Sequence, residues 1–281
     1  MTEQHYEDWT GEVGDRWLAH AETFESMISP AGQALMDSAA FGVGEKVVDI
    51  GCGCGATSFE IAQAVGADGK VLGFDIAPQL VREAEKRAEL NHIGNVRFAV
   101  GNAETDSVAG LPYDRLFSRF GIMFFHDSVA AFANMRSWLT PGGKLDFACW
   151  AGPEENPWMG IIGQIVGQHI DMPEGNPDDP GPFRFADQEL VRGILDKAGY
   201  ANIKCTSWQG ESLLGGYGAT PQSAVDFVMD GLDMKKAIMA QNPGALEDVR
   251  SELLEAVRPY HQDNAIRMGA GVWLVSAANP D

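Results

Sequence analysis

The sequence predicts a doubly wound α/β fold with a mostly parallel sheet, and three observations carry that expectation. Short apolar runs alternate with stretches of helical character through the first half of the chain, the pattern of strands joined by crossover helices. The run Val47-Val48-Asp49-Ile50 delivers the chain into the alternating glycines Gly51, Gly53 and Gly55, and a helix-forming segment follows over 57–65. A second apolar run, Lys70-Val71-Leu72-Gly73-Phe74, ends in Asp75. A carboxylate at that distance past a glycine loop is placed to accept hydrogen bonds from ribose hydroxyls.

The elements follow in order. After the strand ending at Ile50, residues 59–65 read as helix, 71–75 as strand, and 78–90 as a charged amphipathic helix with Pro78 at its start, where proline is tolerated. Strands are expected at 96–100, 114–119 and 144–150, with a helix over 129–139. Beyond these, 187–198 reads as helix, and 203–214 and 271–277 read as strands. In a sheet of this kind ligands sit at the carboxyl ends of the strands.

Composition narrows the function. The chain has 281 residues, 45% of them hydrophobic, enough for a sizeable core. Forty acids against 20 Lys and Arg give a formal charge of −20, which repels phosphate backbones and anionic membrane surfaces. Nucleic acid and membrane partners are therefore not expected. The first residues are polar and acidic without an apolar core, and no later apolar run is long enough to span a bilayer; the chain reads as cytoplasmic. Of the four cysteines, Cys52 and Cys54 lie in the glycine loop and Cys149 and Cys205 in expected strands. No His or Cys cluster at ligand spacing accompanies them, so small residues packing the loop are expected, and no metal.

The glycine loop by itself leaves two cofactors open. Read as Gly51-x-Gly53-x-x-Ala56 it satisfies the dinucleotide fingerprint, so an NAD-dependent oxidoreductase stays in view at this point. The series Asp49-x-Gly51-x-Gly53-x-Gly55, Asp75, Gly101-Asn102-Ala103-Glu104 and Leu139-Thr140-Pro141-Gly142-Gly143-Lys144-Leu145 resembles, in order and spacing, the motifs of class I S-adenosylmethionine (SAM)-dependent methyltransferases. Within them it is most similar to the ubiquinone/menaquinone-biosynthesis type and its small-molecule relatives (type 11). The resemblance runs from about Phe41 to Trp150.

The resemblance implies a seven-stranded sheet with an antiparallel hairpin at its edge, interrupted by a helical insert. It implies SAM as cofactor, S-adenosylhomocysteine (SAH) as product, and a small-molecule acceptor, methylated on oxygen first and on nitrogen or carbon behind it. The domain layout it suggests is an N-terminal helical cap (1–40), a SAM-binding core (41–150), a lid insert (151–186), core (187–214), a helical insert (215–269) and a final core strand (270–281). The bland reading of the inserts is surface elaboration or a homodimer contact.

Site residues follow from the same resemblance. Gly51 and Gly53 approach the methionine part of the cofactor, and Asp49 orients the loop or reaches the ammonium through water. Asp75 takes the ribose diol, and Ile76 packs on adenine. Asn102, where many relatives carry Asp, accepts from the adenine amine, and Ala103 lends a backbone NH. Ser118 ends the fourth strand beside the methyl donor, with Arg119 and Phe120 at the pocket mouth. Trp9 and Trp17, in Trp9-x-Gly11-x-x-Gly14-x-x-Trp17, either anchor a helix or lay a π face against the sulfonium. His126 is the candidate general base, since histidine is the side chain suited to taking up a proton near neutral pH; the alternative is a loop or capping histidine. The NAD reading lacks a Tyr-x-x-x-Lys pair, and a SAM-fold binding protein without turnover remains a third reading.

Overall fold

The computed structural model describes residues 8–172 and 179–280; the 173–178 part of the expected lid insert lies outside them. Five parallel strands form the centre of one sheet: β1 (Lys46–Ile50), β2 (Lys70–Asp75), β3 (Val96–Val100), β4 (Tyr113–Arg119) and β5 (Leu139–Trp150). A long hairpin of β6 (Ala201–Leu214) and β8 (Ala265–Ala278) completes it, β8 antiparallel to β5. The order is β3-β2-β1-β4-β5-β8-β6, and a two-residue β7 (His261–Gln262) pairs with the start of β8.

Helices α1 (Glu12–Ala19), α2 (Ala21–Met27) and α3 (Ser29–Ala39) precede β1. The crossovers are α4 (Ala56–Val65), α5 (Pro78–Leu90) and α6 (Ser128–Arg136). Next come α7 (Pro157–Gly167) and α8 (Gln188–Lys197), and between the hairpin strands lie α9 (Pro221–Asp230), α10 (Met234–Gln241) and α11 (Leu246–Val257). Their starts follow from local chemistry. Asp127 accepts from Ala130 N and Asp187 from Glu189 N, while Thr220 and Ser223 form a reciprocal capping box; each satisfies an NH that a helix start otherwise leaves unpaired.

Two boundaries and the strand count differ from expectation, each because pairing across the sheet outweighs local pattern. The expected helix over 129–139 ends at Arg136, because Leu139 pairs with Tyr113 and opens β5. The last strand starts at Ala265 rather than near 270, because it pairs with β6 as far as Leu214 against Ile266. The expected seven strands become eight by the addition of β7. The core is the sheet itself: Val47, Val48, Leu116, Phe117, Leu145 and Phe147 are fully buried on its central strands. Each such side chain contributes about 1.5–3 kcal/mol by leaving water.

At the amino-terminal edge of the sheet a closed ionic cluster ties β4 to its neighbours. Arg115 donates to Glu45, to the Ala39 carbonyl and, at 2.5 Å, to Asp146. The carboxyl-terminal edge is open, and the cavity described next lies there.

Candidate functional site

At the carboxyl ends of β1, β2 and β4 lies a cavity of about 550 Å³. Its floor begins with the glycine loop. Gly51, Gly53 and Gly55 all have positive φ, at 66°, 54° and 86°, a region that side-chain-bearing residues rarely adopt. A Cβ on Gly51 would sit 2.6 Å from Cα of Gly121, and one on Gly121 2.7 Å from Cα of Gly51. Two backbones therefore touch where β1 and β4 end, and each glycine requires the other. Gly121 was not anticipated from the sequence; a glycine two residues past a strand end is the signal that could have found it.

Asp75 ends β2 at the cavity wall. Its carboxylate accepts from Gly53 N and from Ala77 N, both at 2.8 Å, so one side chain holds the glycine loop and the start of α5. Burial raises its pKa above the ordinary carboxylate range, and the NH groups of Ala77 and Gly53 oppose that rise. Ile76, Asn102 and Ala103 line the same side. The Asn102 side chain accepts from Glu104 N, which shapes the turn after β3.

Two expected residues sit behind the cavity wall instead of on it. Ser118 is fully buried and donates to the Ile50 carbonyl at 2.7 Å. As an alternate residue of a central strand it points into the sheet packing, so the expectation of a cofactor contact through its side chain is corrected: it ties β4 to β1. Asp49 is also buried, and accepts from Ser58 at 2.6 Å, linking β1 to α4. Burial pushes its pKa up to about 7, with the Ser58 hydroxyl and the charge of Arg119 pulling the other way. Its Oδ1 is buried without a hydrogen-bond partner among the described residues.

The N-terminal segment supplies the roof. Trp9 and Trp17 line the cavity, with their rings edge to face at 5.8 Å. Trp17 stacks on Phe24 at 4.1 Å, and Trp9 meets Phe124 edge-on. A Cβ on Gly53 would find Trp17 Nε1 at 3.6 Å, so the indole stands directly over the loop. Gln79 of α5 donates to the carbonyls of Trp9 and Gly11 at 3.3 and 3.4 Å, and occupies the space a side chain on Gly14 would need. Gly14 is thus explained by docking, whereas a side chain on Gly11 would meet that of Asp8; Gln79 is the partner sequence reasoning missed. On the far side Arg16 pairs with Asp233 at 3.0 Å and Lys236 with Glu12, joining α1 to the start of α10.

Beyond the loop the cavity widens into an apolar chamber. Phe120, Trp150, Trp158, Met159, Phe183 and Leu232 are among its walls, contributed by the β4 and β5 ends, by α7 and by the turns before α8 and α10. His126 lines it as well. The cysteines of the loop are inert packing: Cys52 and Cys54 are buried, and burial pushes the Cys54 thiol up to about 12. Among the described residues, no group of three or more His, Cys, Asp or Glu is arranged to hold a metal ion. No described helix is long and apolar enough to cross a membrane.

Residues 42–151 match the family model described as a methyltransferase domain. An aklanonic acid methyltransferase of Streptomyces sp. (strain C5) is 37% identical over 190 residues, covering 63% of this chain and 84% of the relative. The chain belongs to the SAM-dependent methyltransferases. A ubiquinone/menaquinone biosynthesis C-methyltransferase of Marinomonas sp. (strain MWYL1) is 28% identical, covering 62% of this chain and 71% of the relative. In fold, the methyltransferase is similar to phosphoethanolamine N-methyltransferase 2 of Haemonchus contortus, solved with phosphomonomethylethanolamine and SAH. That match has a TM-score of 0.57 at 16% identity, covering 100% of this chain and 59% of that one.

These relatives make SAM the cofactor and do not favour the NAD reading of the glycine loop or the non-catalytic one. The cavity of the methyltransferase suits that cofactor on its own terms. It offers a carboxylate at the end of β2, side-chain-free backbone at Gly51 and Gly53, and aromatic faces above them. The Trp9 indole NH beside them is buried and has no hydrogen-bond partner among the described residues.

Proposed function

We propose that this methyltransferase methylates an oxygen atom of a small, flat, largely apolar acceptor held in the aromatic chamber. The observation that carries the reading is the chamber's lining, which brings aromatic rings and methionines together with His126. Such walls favour ring-bearing molecules, since each buried ring face adds hydrophobic and stacking energy. The relatives named for aklanonic acid and for ubiquinone/menaquinone biosynthesis point to small organic acceptors as well. The second of them is a C-methyltransferase by name, so carbon stands behind oxygen, with nitrogen beside it.

Bound SAM supplies a sulfonium-activated methyl group open to in-line displacement. The chain's own part is alignment, desolvation and one proton. Asp75 takes the ribose hydroxyls while keeping its hold on Gly53, and Ile76, Asn102 and Ala103 frame the adenine. Gly51 and Gly53 let the backbone approach the methionine half, with Asp49 stiffening the loop through Ser58. Trp9, in the turn before α1, and Trp17, on α1, close over the loop together with α7 and α10 as a lid that excludes water. Holding the reactants aligned is worth up to roughly 7–11 kcal/mol. His126 accepts the acceptor's hydroxyl proton on an imidazole nitrogen as the oxygen attacks. A soluble cytoplasmic setting and a homodimer remain readings of the sequence alone.

Calorimetric titration with SAM, SAH and NADH tests the cofactor: the first two should bind and the third should not. A panel of phenols and aromatic acids incubated with methyl-labelled SAM then tests the acceptor, with product NMR separating O- from C- and N-methylation. With a working acceptor, His126→Ala should lower the single-turnover rate by roughly 10² to 10⁴ while leaving SAH affinity nearly unchanged. A loss of only a few fold would remove His126 from the mechanism and leave alignment as the source of rate.

A further inference from the structure

We infer that Arg119 is the residue that receives the carboxylate of the cofactor's methionine half, an assignment that rests on SAM occupying the glycine loop. Arg119 is the last residue of β4 and lines the cavity. The cavity's other guanidinium, that of Arg16, is engaged by Asp233 at 3.0 Å, which removes it as the obvious partner for an anion. Among the described residues the Arg119 side chain has no hydrogen bond and no carboxylate within ion-pair distance, although the residue is only partly exposed. A guanidinium carries five donors in a rigid fork and no acceptor. Left half-desolvated at a cavity wall, it is complementary to a planar anion taken in two parallel hydrogen bonds.

Its surroundings hold it in place. A Cβ on Gly32 of α3 would lie 2.8 Å from Arg119 Cδ and 3.2 Å from Nη1, so the side chain runs along α3 in a slot that only glycine leaves. The positive charge of Arg119 is felt by Asp49 at the end of β1 and by Glu60 on α4, which sets the guanidinium beside the glycine loop. The sheet order gives the direction. Asp75 ends β2, the glycine loop leaves β1, and Arg119 ends β4, with β1 lying between β2 and β4. Strands in a sheet are about 4.8 Å apart, so the acid and the base stand roughly two spacings, about 10 Å, from each other across the loop. A cofactor with its ribose on Asp75 and its chain laid over the glycines therefore ends at Arg119. The alternative source of the same chemistry is a carboxylate or phenolate on the acceptor.

The test uses calorimetric affinity, with two ligands and three proteins. The ligands are SAH and its decarboxylated analogue, the adenosyl thioether ending in the free amine; the proteins are wild type, Arg119→Gln and Arg119→Lys, each checked by a thermal melt. Arg119→Gln should weaken SAH by roughly tenfold to a hundredfold, while leaving the decarboxylated analogue within about threefold of wild type. Wild type should prefer SAH to the analogue by the same factor, and Arg119→Lys should fall between, keeping charge but losing the fork. Equal weakening of both ligands would overturn the inference, because the substitution would then have disturbed the site rather than a carboxylate contact. Unchanged affinity for both would overturn it as well, and a raised acceptor KM in that variant would assign Arg119 to the acceptor. Failure of wild type to bind SAH at all would instead overturn the cofactor assignment and the inference with it.

Discussion

Arg115 and Arg119 lie on the same strand and, because side chains alternate along β4, on the same face of the sheet. Both run toward α3, Arg115 against its last residue, Ala39, and Arg119 against Gly32. Their environments are opposite. Arg115 is 3% exposed and every arm of its fork is occupied, by Glu45, Asp146 and a carbonyl; Arg119, at the cavity, has none of these. The carboxylates divide the same way. Asp49 and Asp146 stand at one level of the sheet, both in register with Phe117, yet Asp146 turns to the Arg115 guanidinium, whereas Asp49 has, among the described residues, the Ser58 hydroxyl and one oxygen left over. The amino-terminal edge of the sheet is electrostatically closed and the carboxyl-terminal edge is open. In physical terms the first is where an ionic network holds the fold, and the second is where charge is left available to a ligand.

The largest expected effect comes from breaking the closed edge. Arg115→Met leaves Asp146 and Glu45 partly buried without their cation, and breaking such a pair costs about 3–5 kcal/mol. The melting temperature should fall by roughly 10 °C or more, while SAH affinity at low temperature stays close to wild type. A variant that melts normally would show that the cluster contributes nothing net.

Next comes the pH dependence set by Asp49. Asp49 is raised from 3.8 to about 7 by burial. A carboxyl group with a raised folded-state pKa stabilises the fold below its unfolded value, and that contribution is lost as pH rises toward 7. At about 1.4 kcal/mol per unit the loss is up to roughly 4 kcal/mol. Asp49→Asn should remove it, so the stability difference between the variant and wild type should grow in the variant's favour between pH 4 and 7 in denaturant titrations. Parallel pH profiles for the two proteins would count against a protonated Asp49.

A third substitution sharpens the division of labour at the cavity. Asp75→Asn keeps an oxygen for the Gly53 or Ala77 NH but loses the charge, so SAH affinity should drop at least tenfold. The fold should survive, as read by circular dichroism. Unchanged SAH affinity would confine Asp75 to holding the loop. The smallest effect is expected at the roof. Asp233→Asn removes the partner of Arg16, a half-exposed pair, and exposed pairs are worth about 0–1 kcal/mol. Its melting temperature should shift by no more than about 4 °C, with a modest rise in proteolysis of the N-terminal helices. A large loss of stability would mean the roof is as tightly built as the closed edge.

The strands of the parallel core, the crossover helix Pro78–Leu90 and the glycine loop were legible because their signals are local: β-branched runs, a proline at a helix start, glycines where φ is positive. Asp75 was legible as a cavity residue for the same reason, a carboxylate at a strand end at a set distance from that loop. The limits of β5 and β8 were not, because Leu139 and Ala265 become strand only through partners distant in the chain. Ser118 shows the same limit at the level of one side chain, since position at a strand end does not say whether a hydroxyl faces the cavity or the neighbouring strand's carbonyl.

The sequence by itself determined the class of fold, the place of the glycine loop and the identity of the acid beside it, because hydrophobic period and backbone freedom act over a few residues. Only the tertiary structure decided that Gly51 needs Gly121, that Gln79 docks the tryptophan segment, and that of two arginines on one strand one is fully engaged and the other, among the described residues, makes no ion pair. Those facts depend on which surfaces the folded chain brings within a few ångströms of each other. Contact between residues far apart in sequence is settled by packing and burial rather than by any pattern a short window can hold.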